Sequence, residues 1–278
     1  MPTLAELPRL IATDLDGTLL RRDGSVSPRA LLALKRARTA GIELVIATGR
    51  PPRHVAKIEG AVELGAIAIC INGALTYDLE RGAVVRESRL QAALAHELVL
   101  DLRRHLPGIC FAVEVGLEFG WEPSYGRVSK RSEPPHFPVS DALALSKNGV
   151  SKLIARHPDF AAEELIARSS SILEGRASVS YSGAPFVEIS AAHVSKASAL
   201  AIHCTERSIL PSQVLSFGDM PNDLPMLEWA GRSIAMANAH HDVLAKVREV
   251  TLSNEEDGVA IVVERLLAAA AVGSAAYV

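Results

Sequence analysis

Continuous apolar runs alternate with segments of helical spacing in the first part of the chain. The runs that begin at Leu10, Ile42 and Ala66 are typical of strands buried on both faces of a sheet. Between the first two runs, Ser27 and Pro28 supply the hydroxyl and the proline that favour the start of a helix. This alternation predicts an α/β fold whose core is a doubly wound, Rossmann-like parallel sheet.

The alternation stops near residue 80 and returns near Val194. The intervening stretch has the pattern of helices and mostly antiparallel strands, which predicts an inserted α+β domain. We therefore expect a core formed by residues 1–80 and 191–278, with the insert at 81–190.

Three local predictions bear on the surroundings of the core. A helix is expected over 52–59 and a β-hairpin over 77–86. The segment 121–140 contains four prolines and is expected to be irregular.

Polar residues gather at the ends of the predicted core elements. They are Asp14, Asp16, Thr48, Lys196, Asp219, Asn222 and Asp223. Carboxylates brought to one sheet edge repel one another, and a lysine and a divalent cation relieve that repulsion. Oxygen ligands without clustered histidine or cysteine suit Mg²⁺ rather than Zn²⁺. A site of this composition suits a phosphoryl group.

The spacing of these residues resembles the motifs of the haloacid dehalogenase (HAD) superfamily of phosphohydrolases, in its Cof-type branch with a C2-type cap. The matching segments are Asp14-Leu15-Asp16-Gly17-Thr18-Leu19, Ala47-Thr48-Gly49-Arg50, Val194-Ser195-Lys196 and Gly218-Asp219-Met220-Pro221-Asn222-Asp223. The chain departs from the usual pattern at Ala197 and Pro221, and neither departure removes a reacting group.

The resemblance implies a role for each matching residue. Asp14 is expected to be the nucleophile that forms an aspartyl-phosphate, and Asp16 the general acid and base. Mg²⁺ is expected on the Asp14 side chain, the Asp16 backbone carbonyl and Asp219. The remaining expected residues are Thr48 and Lys196 for the phosphoryl oxygens, Gly49, Arg50 and Asn72 for the substrate, and Asn222 and Asp223 in support.

The function implied by the resemblance is Mg²⁺-dependent hydrolysis of small phosphorylated metabolites, such as sugar phosphates, nucleotides or cofactor phosphates. A phosphomannomutase-like mutase and a non-catalytic phosphometabolite-binding protein are the alternatives. The residues Trp121, Tyr125, Arg127, Lys130, Arg131, His136 and Phe137 either contact the leaving group or form a surface loop.

Two other candidates have simpler explanations. His240, His241 and Asp242 are a conceivable metal site, but neighbouring histidines at a helix start favour solvated or capping roles. Arg50 is as well explained by a salt bridge or solvent exposure as by substrate binding.

The composition limits the classes of binding partner that we expect. The 278 residues carry a formal net charge of −3, which gives no positive field for nucleic acid or an anionic membrane. The three cysteines form no Cys-x-x-Cys pair and indicate free thiols in a reducing cytoplasm. We expect no signal peptide and no membrane span, and the sequence gives no indication of the oligomeric state.

Overall fold

The computed structural model describes residues 7–129 and 137–275. The strands of these residues form two sheets. In chain order they are β1 (Leu10–Thr13), β2 (Glu43–Ala47), β3 (Ile67–Cys70), β4 (Leu75–Asp78), β5 (Ala83–Glu87), β6 (Cys110–Val115), β7 (Glu118–Trp121), β8 (Lys152–Arg156), β9 (Ala177–Ser180), β10 (Val187–Ala191), β11 (Val214–Gly218), β12 (Arg232–Ala235) and β13 (Glu249–Val250).

The α-helices of the same residues lie between these strands in the sequence. They are α1 (Pro28–Thr39), α2 (Pro52–Val55), α3 (Ala61–Leu64), α4 (Ala92–His105), α5 (Pro123–Ser129), α6 (Ala142–Leu145), α7 (Ala162–Leu173), α8 (Lys196–Glu206), α9 (Leu224–Trp229), α10 (His241–Lys246) and α11 (Gly258–Ala275). Within the described ranges, no helix combines the length and the apolar character needed to cross a bilayer.

The larger sheet has the strand order β13-β12-β11-β1-β2-β3-β4-β5. Strands β13 to β3 are parallel, and β4 and β5 continue the sheet antiparallel. Alternate residues of β1 enter different cores: Ile11 joins the residues of α1 and α11, whereas Leu10 joins those of α8 and α9. Helices therefore cover both faces, which confirms the expected doubly wound α/β fold.

The smaller sheet is antiparallel, with the order β7-β6-β8-β10-β9. Alternation again assigns its faces. Phe111, Leu153 and Ile189 belong to the core that contains residues of α4 and α7. In each strand, the residues on either side of these point to the opposite face of the sheet. That opposite face carries charged side chains and closes a cavity against the larger sheet.

The local predictions are correct in part. The expected hairpin forms as β4 and β5, and β5 joins the larger sheet, so residues 83–87 lie with the core strands. The division of the chain at residues 80 and 190 stays a prediction. The helix expected over 52–59 ends at Val55, and Gly60, at φ +77°, separates it from α3.

The segment 121–140 is not wholly irregular. Pro123 begins α5, a position where a missing N–H costs nothing, so this proline starts a helix rather than breaking one. Residues 130–136 lie outside the described part of the chain, and with them Lys130, Arg131 and His136, which were candidates for leaving-group contacts. The side chain of Arg127, another of these candidates, is also outside the description.

Candidate functional site

The polar residues expected at the site do meet at the carboxyl edge of the parallel strands. Asp14 directly follows β1, and its N–H donates to the carbonyl of Phe217 in β11 at 3.1 Å. Thr48 follows β2, and its N–H donates to the carbonyl of Ile69 in β3 at 2.8 Å. Asp219 follows β11. Because β11, β1, β2 and β3 are neighbours in the sheet, their pairing brings the carboxyl ends of these four strands side by side.

Lys196 reaches this edge from the first turn of α8. Its side chain is buried, and Nζ donates to Oδ1 of Asp14 and to Oδ1 of Asp223, both at 2.6 Å. Burial opposes the ammonium charge, but the carboxylates of Asp14 and Asp223 outweigh it and raise the pKa of Lys196 above its ordinary value. The lysine therefore stays charged and fixes the nucleophile candidate.

Three carboxylates surround this lysine. Asp14, Asp219 and Asp223 each offer an oxygen, and these oxygens lie within 4.8 Å of one another. With Lys196 they form what we call the edge cluster. Burial raises the pKa of Asp14 well above its usual range, Lys196 opposes this, and the charges of Asp223 and Asp219 raise it further. Burial, followed by the charge of Asp223, raises the pKa of Asp219 to about 7.

The edge cluster fits the divalent cation that the resemblance implies. Its three carboxylates outnumber its single ammonium by two negative charges. Oδ1 of Asn222, beside the cluster in sequence, is buried and has no hydrogen-bond partner within residues 7–129 and 137–275. A donor set of oxygens alone, with an unsatisfied buried oxygen nearby, suits Mg²⁺ and supplies no soft ligand for zinc.

Glycines allow this crowding. Gly17 has φ +77°, and a Cβ there would lie 2.2 Å from Oδ2 of Asp219. A Cβ at Gly218 would lie 2.6 Å from Cβ of Asp223. Thr18 completes the contact, since its hydroxyl donates to Oδ1 of Asp219 at 2.9 Å. The glycines of the first and fourth motifs are thus needed for close approach of the two strand ends.

Asp16 lies apart from the edge cluster. Its side chain is 53% exposed and accepts from Nε and Nη2 of Arg50 at 2.7 and 2.5 Å. The salt-bridged alternative for Arg50 is therefore the observed one. The expected metal ligand of this residue is its backbone carbonyl, so the orientation of the side chain toward Arg50 leaves that expectation untested.

The second motif and Asn72 form a neighbouring polar group. The Thr48 carbonyl accepts from the Asn72 N–H at 3.0 Å, and its hydroxyl accepts from the Arg50 N–H at 3.2 Å. Asn72, at φ 54°, accepts from Nδ2 of Asn222 at 3.0 Å. A Cβ at Gly49 would lie 3.1 Å from Oδ1 of Asn72. The residues expected to contact the phosphate and the substrate are thus neighbours.

The smaller sheet contributes charged residues that sequence reasoning missed. Glu114, Lys152, Arg156 and Glu188 are buried and line a cavity of about 1220 Å³ together with Asp14. Lys152 and Arg156 alternate with apolar residues in β8, and Glu114 and Glu188 sit likewise in β6 and β10. Charged residues at alternate positions of apolar strands were the available signal.

Polar contacts join this charged face to the core. The Lys152 ammonium pairs with Glu188 and donates to the carbonyl of Gly49 at 3.2 Å. Oε2 of Glu188 accepts from Nδ2 of Asn72 at 3.0 Å. These contacts hold the smaller sheet against the motif residues beside the cavity.

The remaining candidates lie outside the edge cluster. His240 caps α10, since its Nδ1 accepts from the Asp242 N–H at 3.3 Å, in agreement with the capping interpretation. His240, His241 and Asp242 are close enough to hold an ion, but the latter two are exposed. Trp121 packs in an aromatic group, while Tyr125 is buried and lines the cavity.

A cavity at the carboxyl edge of a doubly wound sheet, with carboxylates and a buried lysine, defines the class of a phosphoryl-transfer enzyme. The family model described as haloacid dehalogenase-like hydrolase matches residues 11–263. The chain belongs to this family, and the expected HAD phosphohydrolase of Cof type is confirmed.

Known proteins of similar length agree. The chain is 30% identical to the pyridoxal phosphate phosphatase YbhA of Escherichia coli, over 91% of this chain and 96% of the relative. It is 29% identical to the phosphatase YwpJ of Bacillus subtilis, over 93% of this chain and all of the relative. The solved structure of BT1666 from Bacteroides thetaiotaomicron, a HAD phosphatase, superposes with a TM-score of 0.79 at 25% identity, covering 96% of this chain and 97% of that one.

Proposed function

We propose that this protein hydrolyses phosphate monoesters of small metabolites, with Mg²⁺ at the edge cluster and Asp14 as the nucleophile. The observation that carries the proposal is the contact between the Lys196 ammonium and Oδ1 of Asp14. It occupies one carboxylate oxygen, orients the other and favours the ionised form that attacks phosphorus. The alternative of a non-catalytic binder loses support, because Asp14, Lys196 and Asp219 are all in place.

The reaction has two steps on this chain's own residues. An Asp14 oxygen bonds to phosphorus as the ester P–O bond breaks, and Asp16, after it leaves its ion pair with Arg50 and takes up a proton from solvent, gives that proton to the leaving oxygen. Asp16 then takes a proton from water as that water attacks the aspartyl-phosphate, which releases inorganic phosphate and frees Asp14. The partial exposure of Asp16 suits this role, because its carboxyl reaches the cavity that holds the leaving group.

Other residues would hold the phosphoryl group and the metal. Thr48 and Lys196 would contact the phosphoryl oxygens, and Asp14 and Asp219 would hold Mg²⁺ with the Asp16 backbone carbonyl. When bound, Mg²⁺ neutralises charge on the transferring group. Asp223 supports the site, since its Oδ2 accepts from the N–H groups of Asp219 and Met220 at 3.1 and 3.0 Å.

The substrate class follows from the cavity and the relatives. The cavity volume of about 1220 Å³ suits a small phosphorylated metabolite such as a sugar phosphate or a cofactor phosphate. One relative is named a pyridoxal phosphate phosphatase, and pyridoxal phosphate therefore heads the panel we suggest. The buried free thiols of Cys70, Cys110 and Cys204 fit a reducing cytoplasm, where we propose that the enzyme acts.

The test is phosphate release from a panel of phosphorylated metabolites. We expect turnover with Mg²⁺, loss in excess EDTA and recovery when Mg²⁺ is restored. Ca²⁺ should inhibit, because its looser and higher coordination disturbs the alignment of the reacting groups. Full activity in excess chelator would contradict the metal assignment. A strict requirement for a bisphosphate activator would instead identify the mutase alternative.

A further inference from the structure

The cavity wall contains a buried arginine that lacks a carboxylate partner among the residues the structure describes. Arg156, the last residue of β8, is 7% exposed. Its guanidinium carbon lies 5.4 Å from the ring centroid of Tyr125 and 5.2 Å from that of Phe186. Its Nε is buried and has no hydrogen-bond partner among the described residues. A charged group with an unsatisfied donor is therefore fixed in the wall of the site.

Three other cationic side chains that line this cavity are each paired with a carboxylate. Arg50 pairs with Asp16, Arg53 with Glu114, and Lys152 with Glu188. Arg156 differs because aromatic rings, rather than carboxylates, are its neighbours. Rings contact the faces of a guanidinium, and the N–H donors project in its plane. Those donors match the paired oxygens of a carboxylate or a phosphate.

Burying a charge without a partner is unfavourable, and a ligand that brings the opposite charge removes the penalty. Arg156 and Asp14 line the same cavity. We propose that Arg156 binds a second anionic group, a carboxylate or a phosphate, on the leaving group of the substrate. The inference rests on the proposed function, because phosphoryl transfer at Asp14 is what defines a leaving group.

Matched substrates test this on the wild-type enzyme. 3-Phosphoglycerate against glycerol 3-phosphate adds a carboxylate to the leaving group, and glucose 1,6-bisphosphate against glucose 6-phosphate adds a phosphate. We expect kcat/KM to favour the member with the extra anion by about tenfold or more in at least one pair. The pair that responds identifies which anion Arg156 accepts.

Variants assign the preference to the residue. Arg156→Met should lower kcat/KM for the favoured member by about tenfold to a hundredfold, mostly through KM, and change the other member less than about twofold. Arg156→Lys should restore part of the preference, since it keeps the charge but loses the fork of donors. Arg168→Met is the matched control, because Arg168 also lies over a ring, that of Phe160, but does not line the cavity.

The outcomes separate the two proposals. Hydrolysis of all four esters with equal kcat/KM within each pair overturns the inference and leaves the proposed function standing. An equal effect of Arg156→Met on both members of the favoured pair also overturns it. Release of phosphate from no ester, p-nitrophenyl phosphate included, overturns the proposed function and the inference with it. If Arg156→Met fails to fold, the wild-type ratios alone decide.

Discussion

Two buried groups of charged side chains lie on opposite sides of the same cavity, and they differ in net charge. The edge cluster has three carboxylates around the Lys196 ammonium. On the other side, Lys152 pairs with Glu188 and Glu114 pairs with Arg53, which we call the facing pairs. An excess of negative charge attracts a divalent cation, which in turn would bind an anionic phosphoryl group, whereas balanced pairs fix geometry. The comparison suggests that chemistry belongs to the edge cluster and the geometry of the charged face to the facing pairs.

The largest effect is expected at the edge cluster. Asp14→Asn keeps the size of the side chain but removes the attacking charge, so phosphate release should fall by about a thousandfold or more, to background. Steady-state turnover on the panel measures this. Asp159→Asn makes the same change at an exposed position outside the cavity and should leave turnover unaltered.

Asp14→Asn also tests whether the edge cluster, rather than the facing pairs, performs the chemistry. The variant should still fold, which far-ultraviolet circular dichroism checks. Turnover within tenfold of the wild type would remove Asp14 from the role of nucleophile, and with it the claim that the edge cluster performs the chemistry.

The same contrast explains what the sequence could predict. The edge residues stand where apolar strands end, beside glycines such as Gly17 and Gly218 that permit close approach. Strand ends of a parallel sheet converge, so their local pattern is sufficient to bring Asp14, Thr48 and Asp219 together. The contact between Lys196 and Asp223 follows once α8 is placed at that edge.

The facing residues could not be assigned in this way. Lys152 and Arg156 occupy alternate positions of β8, but alternation alone does not say which face meets helices and which meets the cavity. That choice depends on α4 and α7 covering the other side. The orientation of Asp16 likewise depends on Arg50, a partner 34 positions away in the chain.

A smaller effect, on stability, is expected from the facing pairs. Lys152 and Glu188 are 3% and 2% exposed, so removing one leaves the other charge buried and unpaired. Lys152→Met and Glu188→Gln should each lower the free energy of unfolding by about 3–5 kcal/mol. The double variant should lose clearly less than the sum, because no lone charge remains. Urea unfolding of all four proteins measures the coupling.

A matched pair on the surface provides the control for this cycle. Arg168 and Glu164 are about half exposed and four positions apart on α7, and their coupling should be about 0.5 kcal/mol or less. Equal coupling in the two cycles would mean that the Lys152–Glu188 pair contributes no more than a surface salt bridge, and the claim that this pair fixes the geometry of the charged face would have to be abandoned.

The smallest effect is expected in the pH dependence of stability at Glu114. Burial raises the pKa of Glu114, and the pairing with Arg53 offsets that rise only in part. The folded protein therefore holds this proton more tightly than the unfolded chain does. Above the unfolded pKa of about 4.5, stability should fall as pH rises to the folded pKa, by about 1.4 kcal/mol for each unit of difference.

Glu114→Gln isolates this contribution, because other buried carboxyls such as Asp219 change stability with the same sign but are present in both proteins. The free energy of unfolding of the wild type minus that of the variant should decrease as pH rises from 4.5 and then level off. A difference that instead grows with pH would mean that the interaction with Arg53 outweighs the cost of burying the Glu114 carboxylate. The facing pairs would then add to stability at neutral pH by their charges, and not only by fixing the position of the smaller sheet.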